Sequence, residues 1–277
     1  MEKILEVREL TKIYGDGCSH CLTSTGAEYN RNICPHCGSI VATDNLNFDL
    51  YPGEILGIMG ESGSGKSTLV KMLYFDEKPT SGKGIFWDQG EAYNLFQLNA
   101  AQGRWLRHHK LGMVYQNPHL GLNFKVSAGG NIAERLLMND CFEYAKIRSQ
   151  ARELLDRTEF PIPRMDQLPG QFSGGMQQRV QIACALATEP PLLLLDEVTT
   201  GLDLSVQARI LDLILQLQQQ LNVSMIVVSH DLGVIKLLAD RTLIMKQGRI
   251  VESGLTDQVL EDPQHQYTQQ LVSSALY

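Results

Sequence analysis

No apolar stretch in the chain approaches the ~20 residues that cross a bilayer; the longest candidates are the short runs Pro191–Leu195 and Met225–Val228. The opening MEKILEVREL alternates charged and apolar residues and carries no signal-peptide h-region. Basic residues are the minority, 24 Lys and Arg against 31 Asp and Glu. The net charge of −7 argues against a surface that tracks a phosphate backbone. Internal repeats, low-complexity tracts and flexible linkers are missing too. These absences predict a cytoplasmic protein with no nucleic-acid partner and no direct membrane insertion. What remains is 277 residues with 43% apolar content, enough for one large α/β domain with a substantial core.

Cysteine is scarce, six in all, and unevenly spread. Cys18, Cys21, Cys34 and Cys37 form C-x2-C, a twelve-residue gap, then C-x2-C. Two such knuckles can place four thiolates tetrahedrally about Zn²⁺, and CPHCG has the proline and glycine of a tight knuckle turn. The segment would be too small to fold alone, so the metal would supply its folding energy. Disulfides are the alternative, disfavoured in a reducing cytoplasm; an iron–sulfur cluster is another. His20 and His36 sit inside the knuckles and could substitute as ligands. Cys141 and Cys184 stand alone in helical surroundings and read as buried small apolar residues.

Periodicity predicts short strands at Ile4–Val7 and Thr11–Tyr14, and another at Phe48–Leu50, making the cysteine block an insertion in a β-hairpin. Glu54–Met59 is an apolar strand, and Lys66–Tyr74 has helical spacing. Leu111–Tyr115 is a further strand. Val126–Asp156 turns helical, with Ile132, Leu136 and Leu137 on one face. Prolines 161, 163 and 169 punctuate a connector. Gly175–Ala187 and Ser205–Leu221 follow as helices, separated by the unbroken apolar strand Leu192–Leu195. Met225–Ser229 is a buried strand, and Thr242–Met245 with Arg249–Glu252 forms a hairpin about Gln247–Gly248. Alternating strands and helices imply a mainly parallel sheet.

The run Gly60–Thr68, GESGSGKST, lies between the strand Glu54–Met59 and the helix at Lys66. Strand, glycine loop and helix make a phosphate-binding loop. Gly60, Ser62, Gly63 and Gly65 would turn backbone N–H groups toward phosphate oxygens, with Thr68 ending the run. Lys66 would reach the β- and γ-phosphates of ATP, and Ser67 would ligate Mg²⁺. Asp196 ends the four-leucine strand, placed to hold Mg²⁺ directly or through water. Glu197, one residue on, could polarise the attacking water as general base.

Downstream, FSGGMQQR (Phe172–Arg179) resembles the signature of ABC-type ATPases. The resemblance implies that Ser173, Gly174 and Gly175 contact the γ-phosphate of ATP bound by a second copy of the domain, so the working enzyme would be a head-to-tail homodimer. A hydroxyl, glycine amides and a helix N-terminus suit an anion. By the same resemblance Gln116 is the Q-loop glutamine, contacting Mg²⁺ or water, and His230 the switch histidine that senses the γ-phosphate. Asp203 in TGLD matches the D-loop, and Tyr14 offers a ring for adenine, though a plain core tyrosine is the alternative. Val198 stands where the family usually has proline. The implied fold is an α/β ABC-type P-loop nucleotide-binding domain over 1–277. It would have a mainly parallel sheet, an antiparallel β subdomain, a zinc ribbon at 17–40, a helical subdomain at 117–188 and a helical tail at 255–277.

Within that family, VSAGGNIAERL (Val126–Leu136), DLSVQARILDL (Asp203–Leu213) and the stretch Asp231–Leu276 resemble the ABC subunits of bacterial carbon–phosphorus lyase systems. The implied partners are the subunits of the lyase core complex, with a second ABC protein left open. Such a subunit would hydrolyse ATP without itself cleaving the C–P bond. The ATPases of oligopeptide importers share part of the tail and remain the alternative.

Overall fold

The computed structural model describes residues 2–275; Met1, and the last two residues of the expected tail, Leu276 and Tyr277, lie outside the described residues. The chain divides into two compact units. One comprises the described residues up to Gly103 and those from Ile226 on; the other is Arg104–Met225. Together they give the mixed α/β fold expected from the alternating pattern.

In the first unit, β1 (Leu5–Tyr14) runs antiparallel to β2 (Ile40–Leu50), with Leu5 opposite Leu50 and Tyr14 opposite Ile40. The cysteine block is therefore the connection of a hairpin, as expected. The two short strands predicted at its start are one strand. Its register slips between Val7 and Leu10, and Glu9 sits at φ +53°. A bulge of this kind bends a strand without ending it. β2 begins eight residues before Phe48, because Thr43 and Asp44 are buried polar residues that an apolar pattern misses. Asp44 is tolerated there because the Arg249 guanidinium pairs with it at 2.7 Å.

β4 (Ser81–Asp88) and β5 (Glu91–Asn94) complete a four-stranded sheet in the order β2-β1-β4-β5. Leu5, Val7, Leu10, Leu46, Leu50 and Phe86 are buried on it, each worth ~1.5–3 kcal/mol relative to exposure. A second set of strands has the order β10-β9-β3-β8, from β3 (Ile55–Met59), β8 (Ser224–Ser229), β9 (Arg241–Lys246) and β10 (Arg249–Leu255). β9 is parallel to β3, and β10 returns antiparallel. Gln247 at φ +46° and Gly248 at φ +81° make the tight turn between them. Helices α1 (Lys66–Leu73), α8 (Leu232–Leu238), α9 (Thr256–Glu261) and α10 (Gln266–Ala275) belong to this unit.

Helix α2 (Ala100–His109) leads into the second unit. There β6 (Leu111–Val114) and β7 (Leu192–Asp196) pair in parallel, Leu111 opposite Leu192 and Val114 opposite Leu195. All nine residues are buried, as an unbroken apolar strand requires. Around them lie α3 (Pro118–Gly121), α4 (Ala128–Met138), α5 (Tyr144–Arg157), α6 (Gly174–Leu186) and α7 (Leu204–Leu221). The helical run expected from Val126 to Asp156 breaks at Asn139, with Asp140 at φ +59° and the Cys141 N–H turned back to the Leu136 carbonyl. Asn and Asp tolerate the left-handed conformation that such a stop needs. Ile132 and Leu136 enter a core with Ile147, Leu155, Phe172 and Val180, whereas Leu137 is exposed.

Candidate functional site

The glycine loop follows β3 and opens α1. Gly65 caps that helix at φ +103°, and a Cβ there would come within 2.1 Å of the Ala42 carbonyl oxygen. No side chain fits, so the backbone can bend its amides inward. The buried Lys66 ammonium donates to the Gly60 carbonyl at 2.7 Å and the Glu61 carbonyl at 2.8 Å. The positive charge is thus held inside the loop. Ser67 and Thr68 lie on the first turn of α1, while Ser62 and Gly63 are exposed at the loop's rim.

Tyr14 ends β1 half-buried. Its hydroxyl bonds the Glu77 carboxylate and lies 3.5 Å from Thr68 Oγ1, which ties the ring to the helix of the phosphate loop. Burial, then the Glu77 contact, pushes the phenol pKa up and keeps it neutral. Lys12 Nζ sits 4.8 Å from the ring centroid. His230 is exposed directly after β8, the neighbour of β3. The adjoining Asp231 caps α8 through Gly233 and Val234.

In the second unit the parallel register does the positioning. Val114 opposes Leu195, so the chains continue in step to Gln116 and Glu197. Gln116 Nε2 donates to Glu197 Oε2 at 3.0 Å, and the Thr200 hydroxyl donates to the same oxygen at 3.2 Å. Glu197 adopts φ +48°, a left-handed conformation that non-glycine residues hold only where their surroundings impose it. Asp196 is the last residue of β7 and is buried. Val198, also buried, follows Glu197 in a turn closed by the Thr200 N–H and the Glu197 carbonyl. Proline is favoured at that position of a turn, so valine keeps the geometry with a side chain packed inward.

Ser173 caps the thirteen-residue α6, and its exposed hydroxyl makes no bond to the helix's first turn. Gly174 and Gly175 open the helix; a Cβ on Gly175 would strike Val206 at 2.4 Å. Ser173 and Gly174 are thus exposed at the positive end of the helix, the kind of end that favours an anion. Asp203 caps α7, accepting from the Val206 N–H at 3.0 Å and the Ser205 hydroxyl at 2.7 Å. Those two donors hold its carboxyl below the usual range.

The four clustered cysteines meet. Their sulfur atoms all lie within 4.8 Å of one another. Cys18–Cys34 and Cys18–Cys21 are 3.7 Å apart, and Cys21–Cys37 is 3.5 Å. A tetrahedron with Zn–S bonds of ~2.3 Å has edges of about 3.8 Å, so the donor set fits that ion closely. All four thiols are free rather than disulfide-bonded. Hydrogen bonds from the Ser39 hydroxyl and N–H bring the Cys37 pKa down to about 6. The His20 and His36 rings lie 4.7 Å apart, tilted by 40°, and neither joins the four clustered sulfurs. Cys184, by contrast, is pushed up to about 12 by burial and is an inert core residue.

Three contacts at the glycine loop and the cysteine insertion have no local sequence signal. Tyr267, from α10, accepts the Glu61 N–H at 3.0 Å through its hydroxyl. Asn32 donates to the Gly63 carbonyl from within the cysteine insertion at 3.4 Å. Arg249 bonds the Leu22 carbonyl at 3.1 Å as well as Asp44. Each joins residues far apart in sequence, which no short motif encodes.

The ABC transporter family model matches residues 43–200. The chain belongs to the ABC ATPase family. This ABC ATPase is 52% identical over 232 residues to an Escherichia coli protein named for phosphonates utilization, PhnK, covering 84% of the chain and 90% of that relative. It is also 41% identical to a Brucella abortus ATP-binding protein named for peptide import, over 86% of the chain and 72% of the relative. Among solved structures, a dimeric ATP-binding cassette in a post-hydrolysis state with ADP and Pi matches with a TM-score of 0.76 and 28% identity, covering 91% of this chain and 98% of that one. Members of the family bind ATP with Mg²⁺, and their cassettes form dimers. Among the described residues no helix is long and apolar enough to cross a membrane.

Proposed function

We propose that this ABC ATPase powers a conformational cycle in a carbon–phosphorus lyase core complex during phosphonate breakdown. The observation that carries the choice of machine is the 52% identity to the phosphonates-utilization protein across nine-tenths of that relative's length. Importer ATPases match at 41% or lower over a smaller share of their own length. The runner-up, an oligopeptide-type importer subunit, rests on those matches.

ATP is the substrate. The glycine loop binds its phosphates through backbone N–H groups, and Lys66 exchanges carbonyl partners for phosphate oxygens. Ser67, Asp196 and Gln116 offer hydroxyl, carboxylate and amide oxygens, the hard donors that Mg²⁺ prefers. Bound there, Mg²⁺ would neutralise charge on the β- and γ-phosphates. Glu197 orients and deprotonates the attacking water, while Gln116 and Thr200 hold its carboxylate in place. His230 senses the γ-phosphate. Ser173, Gly174, Gly175 and Asp203 complete the nucleotide site of a second copy, so ATP closes the dimer and hydrolysis releases it. That two-state element is what biases the core complex. Cys18, Cys21, Cys34 and Cys37 hold a structural Zn²⁺, all four positions being closed by protein.

Purifying the tagged protein from cells growing on a phosphonate separates the two machines. Recovery of lyase-core subunits is expected; recovery of membrane permeases instead would establish the importer reading. In the same cells, Glu197→Gln should abolish phosphonate turnover together with ATPase activity. Undiminished turnover would refute the coupling.

A further inference from the structure

The cysteine insertion and the phosphate loop touch. We propose that Asn32 is a positioning residue of the ATP site, presented by the metal-ordered insertion, so that the metal held by the four clustered cysteines sets the affinity for ATP. The proposal rests on the zinc reading given above.

Asn32 Nδ2 donates to the Gly63 carbonyl at 3.4 Å, on the loop that would wrap the phosphates. The backbone fixes Asn32 in the hairpin. Its carbonyl accepts the Val41 N–H at 2.7 Å, and the next residue, Ile33, bridges to Ile40. Cys34 follows immediately, and Cys21, Cys34 and Val41 form one buried cluster against Ile13 and Cys18. The residue after Val41 is Ala42, whose carbonyl oxygen is the wall that leaves no room for a Cβ on Gly65. The buried cluster around the sulfurs is therefore one residue from the floor of the loop, and Asn32 reaches its rim.

A second clamp comes from the turn between β9 and β10. Arg249 bonds the Leu22 carbonyl at 3.1 Å and Asp44 at 2.7 Å, and lies 3.8 Å from Glu28. Gly248, beside it, donates to the Ser64 carbonyl at 3.0 Å. Insertion, β2 and phosphate loop thus share a frame. An insertion this small, with few apolar residues of its own, keeps its fold only while the metal is bound. Without the metal, the Asn32 contact and the support of Val41–Ala42 loosen together. Linkage requires the converse, that bound ATP tightens metal binding by the same factor.

The test uses the full-length protein. Zinc content is measured by elemental analysis, and ATP affinity by titrating a fluorescent ATP analogue with Mg²⁺ present. The titration compares protein as purified, protein stripped by a zinc-selective chelator that is then removed, and protein refilled with one equivalent of Zn²⁺. Stripping is expected to weaken binding about tenfold, and refilling to restore it. Asn32→Ala should raise the dissociation constant and the KM for ATP roughly threefold, with zinc content and kcat unchanged. Asn32→Gln, which keeps the donor, should recover much of the loss. Zinc-loaded protein whose affinity ignores both stripping and Asn32→Ala would overturn the coupling and leave the metal reading standing. Protein that neither carries nor takes up zinc would refute the metal reading, and this proposal with it.

Discussion

Glutamine in place of Glu197 is expected to lower kcat for ATP hydrolysis about a thousandfold, within the range that a lost general base costs. The change is nearly isosteric. The left-handed backbone at φ +48° and the Thr200 turn persist, and the new amide can turn its oxygen toward Gln116 Nε2. What disappears is the capacity to take a proton. KM for ATP should therefore move less than threefold, because no binding group has been removed. Steady-state phosphate release on the purified protein gives both constants. A fall in kcat below tenfold would move the base elsewhere. Thr200→Ala removes one of the two donors on the carboxylate and should cost far less, since Gln116 still orients it.

Serine in place of Cys21 is expected to empty the sulfur site. Cys21 is fully buried, 3.7 Å from Cys18 and 3.5 Å from Cys37, so a hydroxyl there is neither a good ligand nor replaceable by water. Structural zinc sites of this type bind with ~10–16 kcal/mol of apparent free energy. A quarter of that, about 2.5–4 kcal/mol, corresponds to roughly a sixty- to seven-hundredfold loss of affinity per ligand. The variant should therefore purify with little zinc, and trypsin should cut quickly at Arg31, an exposed residue inside the insertion. Full zinc occupancy in Cys21→Ser would show that the ion sits elsewhere. Cys184→Ser leaves the cluster intact and should change neither readout.

Much of this was legible in the sequence, for a physical reason. A phosphate loop is contiguous, and so is the four-leucine strand ending at Asp196 and Glu197; local pattern encodes each. The parallel register that brings Gln116 to Glu197 was not legible, because two apolar strands that each run into a polar residue do not say that they pair. Other features depend on distant partners. Asp44 looks like a surface residue until Arg249, 205 positions later, neutralises it. The bulge at Glu9 splits one strand into two apparent ones. The break after Met138 hides in a helical rhythm, because Asn139 and Asp140 act through backbone conformation rather than polarity. Tyr267 and Asn32 reach the phosphate loop from opposite parts of the chain, and nothing beside them in sequence marks the contact.

We propose that one chain holds two half-sites, with Ser173–Gly175 serving the nucleotide of another copy. Sedimentation velocity of Glu197→Gln, with and without Mg²⁺-ATP, tests it most directly, because slow hydrolysis traps the closed state. The prediction is one chain per particle without nucleotide and two at saturating ATP, with Ser173→Glu in the same background remaining single. A particle of one chain at saturating ATP, or a Ser173→Glu variant that pairs as readily as its parent, would contradict it.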